Sequence, residues 1–123
     1  MQFLERVQKL MSRMSGNEFE QLVLQIDGSD LVSGTYGTVA LDIGARYATA
    51  KDDGSNTVTV SFNEKLPAAP IVQSFVSNTA DGKLDTYTST TSTFTYVTVK
   101  ASDNTALADV DATITLLIPR QKI

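Results

Sequence analysis

The chain has 123 residues, 41% of them apolar and 20% charged, with a net charge of −4 and neither cysteine nor histidine. That length and balance fit one globular domain, which buries roughly two-thirds of the surface its unfolded chain exposes. The two absent residue types exclude disulfides, thiolate chemistry, Ser–His–Asp or Cys–His nucleophiles and imidazole metal ligands. Ten mostly scattered basic residues against fourteen acidic ones argue against a nucleic-acid groove.

Residues 1–15 are predicted as a helix. Phe3, Val7, Leu10 and Met14 recur at spacings of four, three and four, the a/d pattern of a coiled-coil seam, with Leu4 and Met11 beside it. Glu5 and Lys9 stand in the favourable i,i+4 order, and Gly16 offers a left-handed stop. So short a helix is marginal in water unless something buries its seam. The seam therefore either packs on the chain's own domain or meets other copies or a partner, and residues 1–18 are expected to form an attachment or oligomerisation unit. The first fifteen residues are too polar for a secretion signal, and no apolar run approaches the roughly 20 residues that span a bilayer. Synthesis in the cytoplasm without processing or membrane insertion is expected.

From about residue 20 the period becomes twofold, and residues 19–123 are expected to form an antiparallel β-sandwich of about six to eight strands. Leu22, Leu24 and Ile26 alternate with Gln21, Val23 and Gln25. Asp27-Gly28-Ser29-Asp30 and Ser33-Gly34 are turn signals. Thr38–Ile43 reads as the next strand, continued by Arg46–Ala50 after a bulge at Gly44. Asp52–Asn56 is a hairpin turn, followed by Val58, Val60 and Phe62 on one face and Thr57, Thr59 and Ser61 on the other. Val60 and Phe62 are predicted core residues. Pro67 and Pro70 bracket a kink before Ile71–Ser77, and Leu84–Thr88, Thr93–Lys100 and Ala112–Ile118 complete the set. Short strands about ten residues apart, rich in β-branched Thr, indicate a sandwich or barrel.

Two strands carry apolar residues on both sides. Phe94 and Tyr96 share one face of Thr93–Lys100 while Val97 and Val99 share the other, and Leu117 sits beside core-facing Ile114, Leu116 and Ile118. Either a neighbouring subunit covers the second face or a bulge shifts the alternation. The first alternative adds Val97 and Val99 to Phe3, Val7, Leu10 and Met14 as candidate interface residues.

Little points to catalysis. No Ser-x-x-Lys spacing occurs, and the Asp pairs at 27/30, 52/53, 81/85 and 109/111 fall in turns or at strand ends, where they are turn formers and solvated charges. Oxygen ligands in the 27–30 and 52–56 loops would suit only calcium or magnesium, and neither loop fits the EF-hand pattern. No enzyme activity, cofactor or metal is expected. Among the tyrosines, Tyr87 in its Ser/Thr-rich stretch is the candidate ligand-binding residue.

Val58-Thr59-Val60-Ser61-Phe62, then Leu66-Pro67, then Pro70-Ile71-Val72, with Phe94 between Thr93 and Thr95 and a terminal apolar strand, resembles the C-terminal head domains of phage fibre and spike proteins. The same stretch, about residues 57–118, is similar to the H-type lectin sandwich. The resemblance implies a homotrimeric virion structural protein: a capsid decoration, head fibre, tail fibre or baseplate component, bound to other virion proteins and active in host attachment. Its implied ligand is a host-surface glycan or protein. The lectins' sugar-contacting residues have no counterpart here. The rival expectation is a soluble carbohydrate-binding, lectin-like module.

Overall fold

Strand formation follows the twofold pattern. The computed structural model describes residues 19–54 and 56–120, and in them eight strands form. These are β1 Phe19–Ile26, β2 Leu41–Ile43, β3 Ala48–Asp52, β4 Thr57–Phe62, β5 Ile71–Ser77, β6 Gly82–Ser89, β7 Thr93–Lys100 and β8 Ala112–Pro119. They make two antiparallel four-stranded sheets, ordered β2-β1-β8-β5 and β3-β4-β7-β6. The helix expected over residues 1–15, with the attachment unit 1–18, lies outside the described residues. Among those residues the helical element is a single 3-10 turn, Gly28–Asp30, capped by the Asp27 side chain.

The two sheets face each other across one apolar core. Leu22, Leu24 and Ile26 of β1 and Ala112, Ile114, Leu116 and Ile118 of β8 meet Val58, Val60 and Phe62 of β4 and Phe94 and Tyr96 of β7. Val60 and Phe62 are therefore core residues, and the predicted alternation of β1, β4 and β8 holds. The rings of Phe75, Tyr96, Phe94 and Tyr87 run through the layer at centroid spacings of 5.5–5.7 Å.

The stretch after Thr38 departs from expectation. Thr38–Ala40 is a turn, only Leu41–Ile43 is strand, and Ala48–Asp52 belongs to the other sheet. No bulge joins them. Gly44 has φ +99°, and a Cβ there would sit 2.5 Å from the Leu24 side chain. Its carbonyl accepts from Tyr47 N and Ala48 N at 2.9 and 3.1 Å. The chain thus coils through one turn at Gly44 and crosses between sheets, where alternation alone suggested one continuous strand.

All four sheet edges are modified against further pairing. Extra residues bulge the outer strands β2, β5 and β6. The β3 edge pairs with residues 33 and 37 through isolated bridges.

In β7 the inward alternation continues unbroken through Phe94, Tyr96 and Thr98, and the irregularity lies in its partner β6, between Leu84 and Thr86. Val99 is buried within the single chain and bridges to Ala106, and Val97 is half-buried.

Tyr96 has one unusual feature. Its hydroxyl is buried with no hydrogen-bond partner, and burial holds its pKa above the ordinary tyrosine range. An unpartnered buried hydroxyl is destabilising by about 1–3 kcal/mol. Tyr96→Phe should therefore leave stability unchanged or raise it by ~1 kcal/mol. A drop in the urea midpoint would show that the hydroxyl has a partner.

Candidate functional site

Two surface features lie next to the point where β1 begins. The first is a cleft at the open end of the sandwich, about 600 Å³ in volume. Its floor is the end of the core: Leu22 of β1, Phe62 of β4, Ile118 of β8 and Leu66. Its rim is polar, with Glu20, Arg46, Tyr47, Asn63, Glu64 and Lys65.

Local sequence builds this end. After Phe62 the chain leaves β4 and crosses toward β5. Pro67 and Pro70 have no N–H to extend a ladder. The crossing is pinned by Asn63 N donating to Tyr47 O at 2.8 Å, Asn63 Nδ2 to Arg46 O at 3.0 Å, and Leu66 N to Thr91 O at 2.8 Å. Tyr47 is 55% exposed, with the Arg46 guanidinium 5.8 Å from its ring centroid. On the rim, Arg120 Nη2 donates to Glu20 Oε1 at 2.7 Å. Both side chains are more than half exposed, so that pair contributes about 0–1 kcal/mol.

The second feature is the outward face of the β2-β1-β8-β5 sheet. Register puts Phe19, Gln21, Val23 and Gln25 of β1 beside Pro119, Leu117, Thr115 and Thr113 of β8. Ile71, Ser74 and Val76 of β5 continue those rows on one side, and Ile43 of β2 stands next to Gln25 on the other. None of these side chains is charged, although one residue in five of the whole chain is. Phe19, Ile43, Ile71 and Val76 are exposed. Gln21 donates to Gln73 at 2.9 Å, spanning from β1 to β5. The face is flat, uncharged and partly apolar.

The sequence-derived candidates lie elsewhere. Tyr87 projects at the open side of the sandwich, its ring 5.7 Å from Phe94 and its hydroxyl accepting a long bond from Val72 N at 3.5 Å. It thus spans the gap between β6 and β5. Val97 and Val99 lie on the other sheet, and the Phe3–Met14 seam lies outside the described residues. Two signals for the uncharged face were present in the sequence: the adjacent Leu116 and Leu117, and a β1 whose second side reads Gln21, Val23, Gln25 without a charge. The cleft had none, because it joins segments distant along the chain.

At the opposite end four aspartates gather. Asp27 is held below the usual carboxylate range by hydrogen bonds from Ser29, and Asp30 is raised, chiefly by the nearby Asp27 charge, with Asp42 and Asp111 adding to it. A depressed carboxyl contributes stability above its unfolded pKa that is lost as pH falls, whereas ionised Asp30 opposes folding. As pH falls, Asp30 should take its proton before Asp27, which a carboxyl NMR titration would read; the reverse order would contradict the Ser29 cap. Among the described residues no group of three or more potential metal ligands is assembled.

Comparison with protein-family models, curated proteins and solved structures finds no match.

Proposed function

We propose that this protein is a structural module without catalytic activity, a β-sandwich head that assembles with copies of itself and is displayed on a larger particle. The observation that carries the reading is the uncharged outer face of the β2-β1-β8-β5 sheet. A solvated sheet face ordinarily alternates toward Lys, Glu and Asp, since charge there keeps an acidic domain soluble and apart from its copies. Here the net charge of −4 is placed elsewhere, and Phe19, Ile43, Ile71 and Val76 stand open. Removing them from water drives association at about 25 cal/mol per Å² of apolar surface. β1, β8 and β5, each about 25 Å long, and the three-residue β2, set about 4.8 Å apart, offer on the order of 400 Å² of face. Two such faces together give about 800 Å², so a specific interface, credible from about 1,000 Å², takes in residues around the rim of the face as well.

The resemblance of residues 57–118 to phage fibre and spike heads supplies the setting: a virion surface, a homotrimer, and contact with other virion proteins or a host receptor. Sedimentation of the full chain at tens of micromolar should give an oligomer, with a trimer the expected state. Val23→Glu should weaken association about 100-fold or more, because it would bury an unpaired charge, while leaving thermal melting of the domain nearly unchanged. A chain that stays monomeric at ~100 µM, or a Val23→Glu variant that assembles like the parent, would remove this face from the reading.

A further inference from the structure

We propose that the outer face of the β2-β1-β8-β5 sheet packs on a different surface of a second copy, the flank of the sandwich where β2 and β3 lie. Copies joined in this way run head to tail and close into a ring. The inference rests on the self-assembly proposed for that face and names the surface that receives it.

Topology defines the flank. Ser89 Oγ donates to Pro70 O at 2.7 Å, which sets the β5 and β6 edges side by side. The opposite edges of the two sheets, β2 and β3, therefore share the other side. Residues 32–47 cover it. Ser33 and Gly37 bridge to Asp52 and Ala50 along β3, the turn at residues 38–40 leads to β2, and the coil at Gly44 leads back to β3.

Exposed apolar side chains concentrate there. Among the described residues nine large hydrophobics are exposed, and five of them, Val32, Tyr36, Val39, Ile43 and Tyr47, fall in this one stretch. Phe19, Ile71 and Val76 stand on the outer face, and Ile43 of β2 joins that face to the flank. Single hydrophobics scattered over a surface are ordinary, whereas a gathering of them marks a contact. Charge agrees with this. Asp42 and Arg46 are the charged residues of the stretch and cancel, in a chain of net charge −4. The Arg46 guanidinium lies 5.8 Å from the Tyr47 ring centroid, and Lys51 Nζ lies 4.7 Å from that of Tyr36. Neither patch therefore repels a copy.

Area and symmetry select the arrangement. Two outer faces stacked on a two-fold axis would bury about 800 Å² and leave the flank in water. The flank, about 20 Å by about 15 Å, offers on the order of 300 Å². A face laid on it makes a heterologous contact of about 700 Å², which generates a ring when the rotation closes. Each copy in a ring has two such contacts, together on the order of 1,400 Å², within the range of stable interfaces.

The full chain carrying Val39→Glu tests this. Val39 is 69% exposed in the single chain, so the domain should melt as the parent does. Sedimentation should show association weakened about tenfold or more, because the ring buries the added charge. Assembly equal to the parent's would overturn the proposal. The absence of native cysteine offers a second measurement, in which Val23→Cys and Val39→Cys chains are mixed and oxidised. Disulfides joining the two kinds of chain are expected. Val23→Cys linked only to itself, or no cross-link in an assembled mixture, would overturn head-to-tail packing yet leave the outer face as the contact. A parent chain that stays monomeric at ~100 µM would instead remove self-assembly altogether, and this inference with it.

Discussion

Phe94→Ala is expected to lower the stability of the domain by about 3–5 kcal/mol, the usual range for deleting a fully buried ring. Phe94 has no exposed surface and sits near the start of β7, opposite Val60 on one side and Ser89 on the other. Its ring is 5.7 Å from Tyr87 and 5.5 Å from Tyr96, so removing it cuts Tyr87 off from the aromatic row that reaches Phe75 of the other sheet. The neighbours are strands fixed by ladders on both sides, which limits collapse into the cavity. Domains of this size have about 5–15 kcal/mol in hand, so the variant should melt roughly 10–25 °C lower and can be unfolded at body temperature. Urea denaturation with an unchanged midpoint would mean that β7 does not carry the core.

The sandwich was legible because its strands alternate cleanly. Leu22/Leu24/Ile26, Val58/Val60/Phe62 and Ile114/Leu116/Ile118 each put every second residue inside, and turn residues separate them. Ile71–Ser77 and Thr93–Lys100 have the same bounds in sequence and structure. Thr38–Ala50 was misread because alternation is blind to which sheet a strand joins. Only the positive φ of Gly44 and its close approach to Leu24 show that the chain changes layers there. The second apolar side of β7 invited a partner, yet Val99 is buried by the chain itself, close to Ala106, a contact seven residues away through a turn that no periodicity encodes. The uncharged sheet face was half visible, since its β1 row is contiguous in sequence while the β5 and β8 rows become neighbours only through pairing. The cleft draws on β1, β4, β8 and two connections, and no local pattern announces it.

Gly28→Ala should be among the most disruptive single-methyl additions in the chain, destabilising by about 3–5 kcal/mol through overpacking and a broken charge-assisted bond. Gly28 is buried in the 3-10 turn after β1, and its φ is not in the left-handed region, so conformational freedom is not what requires glycine there. Space is. A Cβ at this position would lie 2.5 Å from the carbonyl carbon of Asp109, 2.6 Å from Val110 O and 2.7 Å from Val110 N. All three are backbone atoms, which cannot rotate away as the tip of a side chain can. The two segments would have to part, and Gly28 N would then lose the Asp111 Oδ1 bond that now ties them at 2.8 Å. Separation also pulls on Val110 and on the start of β8, the central strand that pairs with both β1 and β5. Gly37→Ala is the control: nothing lies within 4 Å of its added methyl and its φ is not left-handed, so its effect should stay within about 0.5 kcal/mol. Equal urea midpoints for the two variants would show that the 27–30 turn and the 109–111 segment are not locked together. A Gly28→Ala midpoint far below that of Gly37→Ala would establish this contact as the clasp that holds β1 to the approach of β8.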